Sequence, residues 1–328
     1  MKINNKNILV TGAGGFIGSH LTERLIGMGN DVTAFIRYNS RNSYGMLEMI
    51  PEKLRRDLTI VQGDLRDGDA LRSAMKGKDV VFHLGALIAI PYSYVNPREV
   101  IETNVIGTFN VMTAARDMGV KKIVHTSTSE VYGTARYVPI DESHPLQGQS
   151  PYSASKIGAD KIAESFHLSY ELPVATIRPF NTYGPRQSAR SVIPTIITQA
   201  LLGKVIDLGS LKPRRDFTYV SDTVNGFIKV AEKDASIGGV FNIGSNFDIS
   251  IKDLVREISD VIGKKIVVRS DKDRVRPDGS EVMRLLADNS RAKKILGWKN
   301  AVPIKDGLKM TAEWIEKNQY FYKRGYTL

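Results

Sequence analysis

A glycine-rich turn near the amino terminus constrains the fold of this chain more than any other feature of its sequence. The apolar run at residues 6–11 is typical of a buried strand, and the periodic stretch at residues 19–28 is typical of a helix. Gly12 permits the tight turn, Gly15 lets the backbone approach a pyrophosphate, and Gly18 lets the helix pack on the strand. The start of that helix offers free N–H groups to an anion. Together these segments predict a dinucleotide-binding unit.

Strands and helices alternate through the first half of the chain, which predicts an α/β fold with a doubly wound parallel (Rossmann) sheet. After Pro179 the rhythm loosens into short pieces rich in Arg, Pro and Gly, which predicts a smaller C-terminal α/β substrate-binding part. We expect residues 1–179 to form the dinucleotide-binding core with returning segments near 216–263, and residues 180–215 and 264–328 to form mainly the substrate-binding part. The predicted strands are 6–11, 31–36, 58–62, 79–83, 121–127 and 173–178, and the predicted helices are 19–28, 67–75, 97–118 and 152–170.

The second predicted strand ends in Ile36 and Arg37, where an NAD enzyme would offer an acid to the adenosine ribose. A carboxylate accepts a hydrogen bond from the 2′-hydroxyl, whereas a guanidinium suits a 2′-phosphate. Arg37, with Ser40 and Arg41 as further donors, therefore favours NADP over NAD. If Arg37 and Arg41 are only loop charges, the cofactor is NAD.

A tyrosine and a lysine lie four residues apart at the start of the predicted helix 152–170. Positions i and i+4 share a helix face, so the Lys156 ammonium should lie beside the Tyr152 hydroxyl. A nearby cation lowers the pKa of a phenol, which would make Tyr152 a usable base. Ser150 can cap this helix and Pro151 fits its first position. On its own, the spacing also fits an ordinary solvated helix face.

Composition excludes several classes of site. The 328 residues include no cysteine, which removes disulfides, thiolate metal sites and cysteine nucleophiles. The five histidines show no close ligand spacing, so no metal site is expected. The formal charge is +11, but the basic residues are scattered and no nucleic-acid-binding signature accompanies them. The longest apolar run, residues 84–90, is too short to span a bilayer, and we expect a cytoplasmic protein with no membrane partner.

Taken together, the motifs resemble the extended short-chain dehydrogenase/reductases that modify nucleotide-diphosphate sugars. The resemblance runs nearly end to end, and its subclass rests on residues 127–133 (STSEVYG). Sugar 4-epimerases generally have a small residue where this chain has Glu130, whereas a carboxylate there resembles the 4,6-dehydratases and the UDP-glucuronate decarboxylases. Residues 37–43 and 280–288 are similar to the N-acetylhexosamine 4,6-dehydratases of the legionaminic acid type. The resemblance therefore implies a lyase acting on UDP- or GDP-N-acetylglucosamine.

The resemblance also implies roles for the catalytic residues. Tyr152 removes the proton of the sugar O4 while Thr128 hydrogen-bonds that oxygen and Lys156 holds the ribose. Glu130 then takes the C5 proton, and water leaves from C6. Ser129 is a further expected catalytic position, because the dTDP-glucose dehydratases carry an aspartic acid there as proton donor. Serine is a poor acid, so Glu130 is expected to move the proton to O6 itself.

Further positions follow from the same resemblance. The expected cofactor contacts are Gly12, Gly15, Phe16, Ile17, Gly18, Arg37, Ser40, Arg41, Asp64, Leu65, Leu84, Ala86, Thr126, Tyr152, Lys156 and Pro179. The expected contacts with the nucleotide sugar are Pro91, Tyr92, Ser93, Asn181, Arg186, Arg215 and Arg276. The helices at 105–118 and 152–170 pair across a two-fold axis in this family, so we expect a homodimer or a higher homo-oligomer.

Three other functions remain open at this point. A UDP-glucuronate decarboxylase shares the Ser129–Glu130 pair, and a C5-epimerase acting on a 4-keto sugar could use Glu130 without dehydration. A regulatory protein with this fold would bind NADP without chemistry, but such proteins usually lack the Tyr152 and Lys156 pair.

Overall fold

A seven-stranded parallel sheet forms the centre of the protein. The computed structural model describes residues 1–322, with the exception of the Asp273 side chain. The strands of the chain are β1 (Asn7–Thr11), β2 (Asp31–Ile36), β3 (Leu58–Gln62), β4 (Val80–His83), β5 (Lys122–Thr126), β6 (Val174–Pro179), β7 (Asn181–Tyr183), β8 (Val205–Leu208), β9 (Arg214–Tyr219), β10 (Val240–Ile243), β11 (Asp248–Ser250), β12 (Val267–Ser270) and β13 (Arg284–Leu285). The central sheet has the order β10-β6-β5-β4-β1-β2-β3, which confirms the predicted doubly wound α/β fold.

Helices cover both faces of this sheet. They are α1 (Phe16–Gly27), α2 (Glu52–Arg55), α3 (Gly68–Met75), α4 (Ile90–Val95), α5 (Pro97–Ile101), α6 (Gly107–Asp117), α7 (Pro151–Tyr170), α8 (Val192–Leu202), α9 (Val220–Glu232), α10 (Ile251–Ile262) and α11 (Ile304–Lys317). Successive strand residues point to opposite faces, so Ile8 and Val10 pack in the core beneath α1 and α9. Leu9 packs in the second core, beneath α3, α6 and α7. Burial on both faces explains why these strands are almost wholly apolar.

The helix predicted over residues 97–118 is interrupted. A π-helical turn, Glu102–Ile106, separates α5 from α6. Within that turn Asn104 is buried, and its amide accepts from the Leu87 backbone and donates to the Leu87 carbonyl and the Ser155 hydroxyl. The side chain thus ties the loop after β4 to α7. The sequence of residues 97–118 gives no sign of this turn, because a π turn depends on tertiary contacts rather than on the local spacing of apolar residues.

Two further sheets lie outside the central one in the described part of the chain. One has the order β11-β9-β13, with β7 paired to β9, and the other pairs β12 with β8. Within the segment near 216–263, β10 is a strand of the central sheet and α9 packs on that sheet. Strands β9 and β11 pair with each other in the second sheet instead. Within the expected part 264–328, residues 323–328 lie outside the described residues. No helix in the described part of the chain has the length and apolarity needed to cross a bilayer.

Candidate active site

The glycine turn forms a close-packed cradle between β1 and α1. Gly12 has a φ of 70°, and a Cβ there would lie 2.7 Å from the Gly85 nitrogen. A Cβ on Gly18 would collide with the Gly12 carbonyl oxygen and lie 2.9 Å from the Ala13 Cα. Helix α1 begins at Phe16 without a side-chain cap, so the N–H groups of its first turn are not taken by a capping side chain. These features fit the pyrophosphate of a dinucleotide.

A small cavity of about 140 Å³ adjoins this cradle. Its walls include Gly12, Phe35, Arg37, Asp64, Leu65 and Ala86. The Asp64 carboxylate accepts from the Arg66 guanidinium at 2.6 Å, and this hydrogen bond lowers the pKa of Asp64. Arg37 points to Glu99, with 3.2 Å between its Nη2 and the Glu99 Oε1. The cavity is suited to an adenosine, with Arg37 at its edge.

The remaining expected cofactor positions are spread along the same edge of the sheet. Leu84 follows β4, Pro179 ends β6, and the Thr126 carbonyl accepts from Lys156. Ser40 and Arg41 are exposed and do not line the small cavity.

A second, larger cavity of about 780 Å³ brings together the catalytic candidates. Thr128, Glu130 and Tyr152 all line it. Thr128 precedes a 3-10 turn, Ser129–Tyr132, and its hydroxyl accepts from the Glu130 N–H at 3.2 Å. Ser129, by contrast, is buried and does not line the cavity, so its expected catalytic role is not supported by its position. Successive residues of the short turn point in different directions, which separates the two side chains.

The helix that carries the Tyr152 and Lys156 pair begins as predicted. The Ser150 hydroxyl accepts from the Ser153 N–H at 3.1 Å, and the Ser153 hydroxyl accepts from the Ser150 N–H at 2.9 Å. Pro151 occupies the first helical position of α7. This reciprocal cap fixes the first turn, where Tyr152 lies.

The expected effect of Lys156 on Tyr152 is not found. Burial raises the pKa of Tyr152, and the hydrogen bond to Thr128 opposes this rise, while Lys156 is not among the groups that shift it. The Lys156 ammonium instead donates to the Thr126 carbonyl at 2.7 Å. Burial lowers the pKa of Lys156 to about 8, and Asp160 partly offsets that change. Tyr152 is therefore a neutral phenol at neutral pH in this arrangement.

A buried carboxylate lies one turn beyond Lys156. Asp160 accepts from the His125 Nε2 at 3.1 Å, from the Ser127 hydroxyl at 2.7 Å, and from the Arg178 Nη2 at 3.0 Å. Burial raises the pKa of Asp160, but the His125 hydrogen bond and the Arg178 charge outweigh it and lower the pKa to about 2. These contacts join α7 to β5 and β6.

The residues expected to bind the sugar nucleotide divide into two groups. Five line the large cavity: Pro91, Tyr92, Asn181, Arg215 and Arg276. Ser93 does not, because it is fully buried and donates to the Ile90 carbonyl within α4. Arg186 does not either, since its guanidinium turns towards α1 and pairs with Glu23. Both differences concern which way a side chain points, and the sequence carries no signal for that.

Several charged residues of the large cavity were not predicted. Arg190, Arg274 and Glu281 line it as well. The Glu281 carboxylate accepts from the Arg215 Nη2 at 3.2 Å and lies 3.8 Å from the Arg276 Nη1. Glu281 is 66 positions from Arg215 in the chain, so only the fold places them together. The cavity thus combines four arginines with two carboxylates.

Comparison with known proteins identifies the family. The GDP-mannose 4,6 dehydratase family profile matches residues 9–311. The chain belongs to this family of extended short-chain dehydrogenase/reductases. A dTDP-glucose 4,6-dehydratase of Streptomyces griseus is 34% identical over 323 residues, which cover 97% of this chain and 96% of that protein. A dTDP-D-glucose 4,6-dehydratase of Mus musculus is 32% identical over 327 residues, with 97% and 91% covered.

Solved structures of the same family include dehydratases and epimerases. The dTDP-glucose 4,6-dehydratase of Streptomyces venezuelae, solved with NAD bound, has a TM-score of 0.88 and 30% identity, and the match covers 96% of this chain and 98% of that one. A UDP-N-acetylglucosamine 4-epimerase of Methanobrevibacter ruminantium has a TM-score of 0.86 and 34% identity, covering 96% and 99%. The protein is thus an enzyme of the nucleotide-sugar dehydratase and epimerase family.

The family's glycine cradle yields a first prediction. Gly18→Ala should destabilise the protein by about 1–3 kcal/mol, because the added methyl group has no room against the turn. Gly27→Ala, in the same helix, is a matched control, since a Cβ there meets nothing within 4 Å. That control should be neutral or up to about 1 kcal/mol stabilising. Urea unfolding measures both, and an unchanged Gly18→Ala midpoint would contradict the close packing.

Proposed function

We propose that this protein is a nucleotide-sugar 4,6-dehydratase that converts UDP- or GDP-N-acetylglucosamine to the 4-keto-6-deoxy sugar. The observation that carries the proposal is that Glu130 lines the large cavity together with Thr128 and Tyr152. Chemistry at O4 alone needs only the latter two residues. A carboxylate in the same cavity supplies the base that removal of a C5 proton requires.

The first step is oxidation at C4. The dinucleotide, when bound, would accept a hydride from C4 and later return it to C6. Thr128 hydrogen-bonds O4, and Tyr152 takes the O4 proton. Tyr152 must first lose its own proton, and because burial raises its pKa a cation near the phenol is needed. We assign that role to Lys156, one turn along α7, whose ammonium has to turn from the Thr126 carbonyl towards the phenol.

The second step is loss of water across C5 and C6. A ketone at C4 acidifies the C5–H bond, and Glu130 removes that proton. Ser129 lies outside the cavity, so we assign to Glu130 the delivery of a proton to the departing O6 as well. Glu130 then takes up a proton from solvent and gives it to C5 as the hydride would return to C6. The O4 proton held by Tyr152 passes to solvent, so the net change is the loss of one water.

The charge of the cavity supports an anionic substrate. Arg190, Arg215, Arg274 and Arg276 line it, and guanidinium groups offer paired donors to a diphosphate. A volume of about 780 Å³ lies within the range of cavities that hold small-molecule ligands.

The similarity to a 4-epimerase of UDP-N-acetylglucosamine makes epimerisation the second candidate. It would use the same cofactor and the same substrate class. Glu130 distinguishes the two, because inversion at C4 creates no need for a C5 base.

Replacing Glu130 with Gln should separate the two steps of the proposed reaction. With UDP- or GDP-N-acetylglucosamine the variant should accumulate reduced cofactor, seen at ~340 nm, and form no dehydrated product. Tyr152→Phe should stop earlier and give no reduced cofactor. Wild-type product formed in deuterated water should carry deuterium at C5. Mass spectrometry follows loss of one water, and dehydration by Glu130→Gln at the wild-type rate would refute the mechanism.

For the cofactor we propose NADP, with NAD as the alternative. Arg37 lines the small cavity and supplies a charged donor for a 2′-phosphate. Loss of a charge-assisted contact costs about 1.5–3 kcal/mol, so Arg37→Ala should weaken NADP binding by roughly tenfold or more while hardly affecting NAD. Calorimetric titration measures both constants. An unchanged preference would mean that Arg37 is a loop charge and that the cofactor is NAD.

We also propose a homodimer formed through α5, α6 and α7. Apolar side chains are exposed along these helices: Ile101, Ile106, Phe109, Leu168 and Tyr170. Phe109→Asp should therefore weaken association, because burying a carboxylate in an apolar interface is costly. Leu202→Asp, at an exposed position of α8, is the matched control. Light scattering at micromolar concentration should give a dimer for the wild type and the control, and a wild-type monomer would refute the proposal.

A further inference from the structure

Glu99 connects the two cavities of the site. Its Oε1 accepts from the Arg37 Nη2 at 3.2 Å, and its Oε2 accepts from the Tyr92 hydroxyl. Arg37 lines the small cavity, and Tyr92 lines the large one. The Glu99 side chain itself is 26% exposed and lines neither cavity. Glu99 therefore reaches any ligand through its two partners.

The charges around Arg37 nearly cancel. Asp64 lies in the same small cavity and pairs with Arg66, and Glu102 lies 3.8 Å from the Arg66 guanidinium. With Glu99, and with Arg98 paired to Glu102, this group holds three carboxylates and three guanidinium groups among the described residues. The hydrogen bond from Tyr92 lowers the pKa of Glu99, with Arg37 contributing, so this carboxylate is ionised at neutral pH. A 2′-phosphate brought to Arg37 thus enters a region without surplus positive charge.

We infer that Glu99 is a specificity-determining residue for the dinucleotide, which limits the preference for NADP over NAD by holding Arg37 in an ion pair. The inference rests on the proposed function of the small cavity as the adenosine site. A 2′-phosphate has to compete with the Glu99 carboxylate for the Arg37 guanidinium. The 2′-hydroxyl of NAD carries no charge and meets no such penalty. Glu99 therefore acts on the ratio of the two affinities rather than on both equally.

Tyr92 fixes the direction of the Glu99 carboxylate. Glu99 lies in the first turn of α5, whereas Tyr92 lies in α4, on the wall of the large cavity. The hydroxyl of Tyr92 occupies one carboxylate oxygen and leaves the other facing Arg37. The ion pair between Arg37 and Glu99 is thereby held in one geometry. Most exposed ion pairs are not fixed in this way.

The test compares NADP and NAD binding by calorimetric titration to the wild type and to Glu99→Gln. The ratio Kd(NAD)/Kd(NADP) should rise roughly threefold or more in the variant, the size expected for a well-formed exposed ion pair. Glu102→Gln is the matched control, since it removes the same charge from the adjoining turn but contacts Arg66 and Arg98 instead of Arg37. That control should change the ratio by less than about twofold.

The route through Arg37 is tested in an Arg37→Ala background. There Glu99→Gln should alter the ratio by less than about twofold, because the ion pair no longer exists. An unchanged ratio in Glu99→Gln, an equal rise in Glu102→Gln, or a full effect without Arg37 would each overturn the inference while leaving the dinucleotide site intact. A wild type that binds neither dinucleotide would overturn the proposed site and the inference with it.

Discussion

The arrangement of the site depends on the hydrogen bonds that the buried carboxylate of Asp160 accepts. Removing a carboxylate from water is costly, and a buried acid is tolerated only when donors satisfy it. Here His125, Ser127 and Arg178 all donate to it. These donors come from β5, from the residue after it and from β6, so the carboxylate fixes α7 against both strands. Tyr152, on α7, is thereby held opposite Thr128, which follows β5.

Much of this fold follows from local patterns in the sequence. Apolar runs of five or six residues predict strands buried on both faces, and most of the expected strands agree with β1 to β6 within one or two residues. The packing at Gly18 is equally local, because a Cβ there would meet the backbone of Gly12 and Ala13. The Ser150 cap of α7 is a short-range contact of the same kind. Gly12 differs, since its close neighbours are Leu84 and Gly85 at the end of β4.

The features that could not be predicted from the sequence are contacts between residues far apart in the chain and the directions in which side chains point. Spacing placed Lys156 beside Tyr152, but the ammonium binds the Thr126 carbonyl, an acceptor 30 positions away. Arg186 was expected to meet substrate from the family resemblance, and its side chain pairs with Glu23, 163 positions away. Glu281 was missed for the same reason. A single sequence gives residue types and local periodicity, while pairings across such distances depend on how the strands and helices pack.

The Glu281 contact bears on how tightly the large cavity can hold an anion. A free arginine loses about 2 kcal/mol of side-chain entropy when its guanidinium is fixed. Arg215 is already fixed in the folded chain, because it donates both to Glu281 and to the Arg214 carbonyl. That ordering cost therefore belongs to folding, and an anion that enters the cavity meets a guanidinium that is already rigid. The Glu281 carboxylate competes with any such anion for that guanidinium, so the preorganisation of Arg215 comes with a weaker attraction.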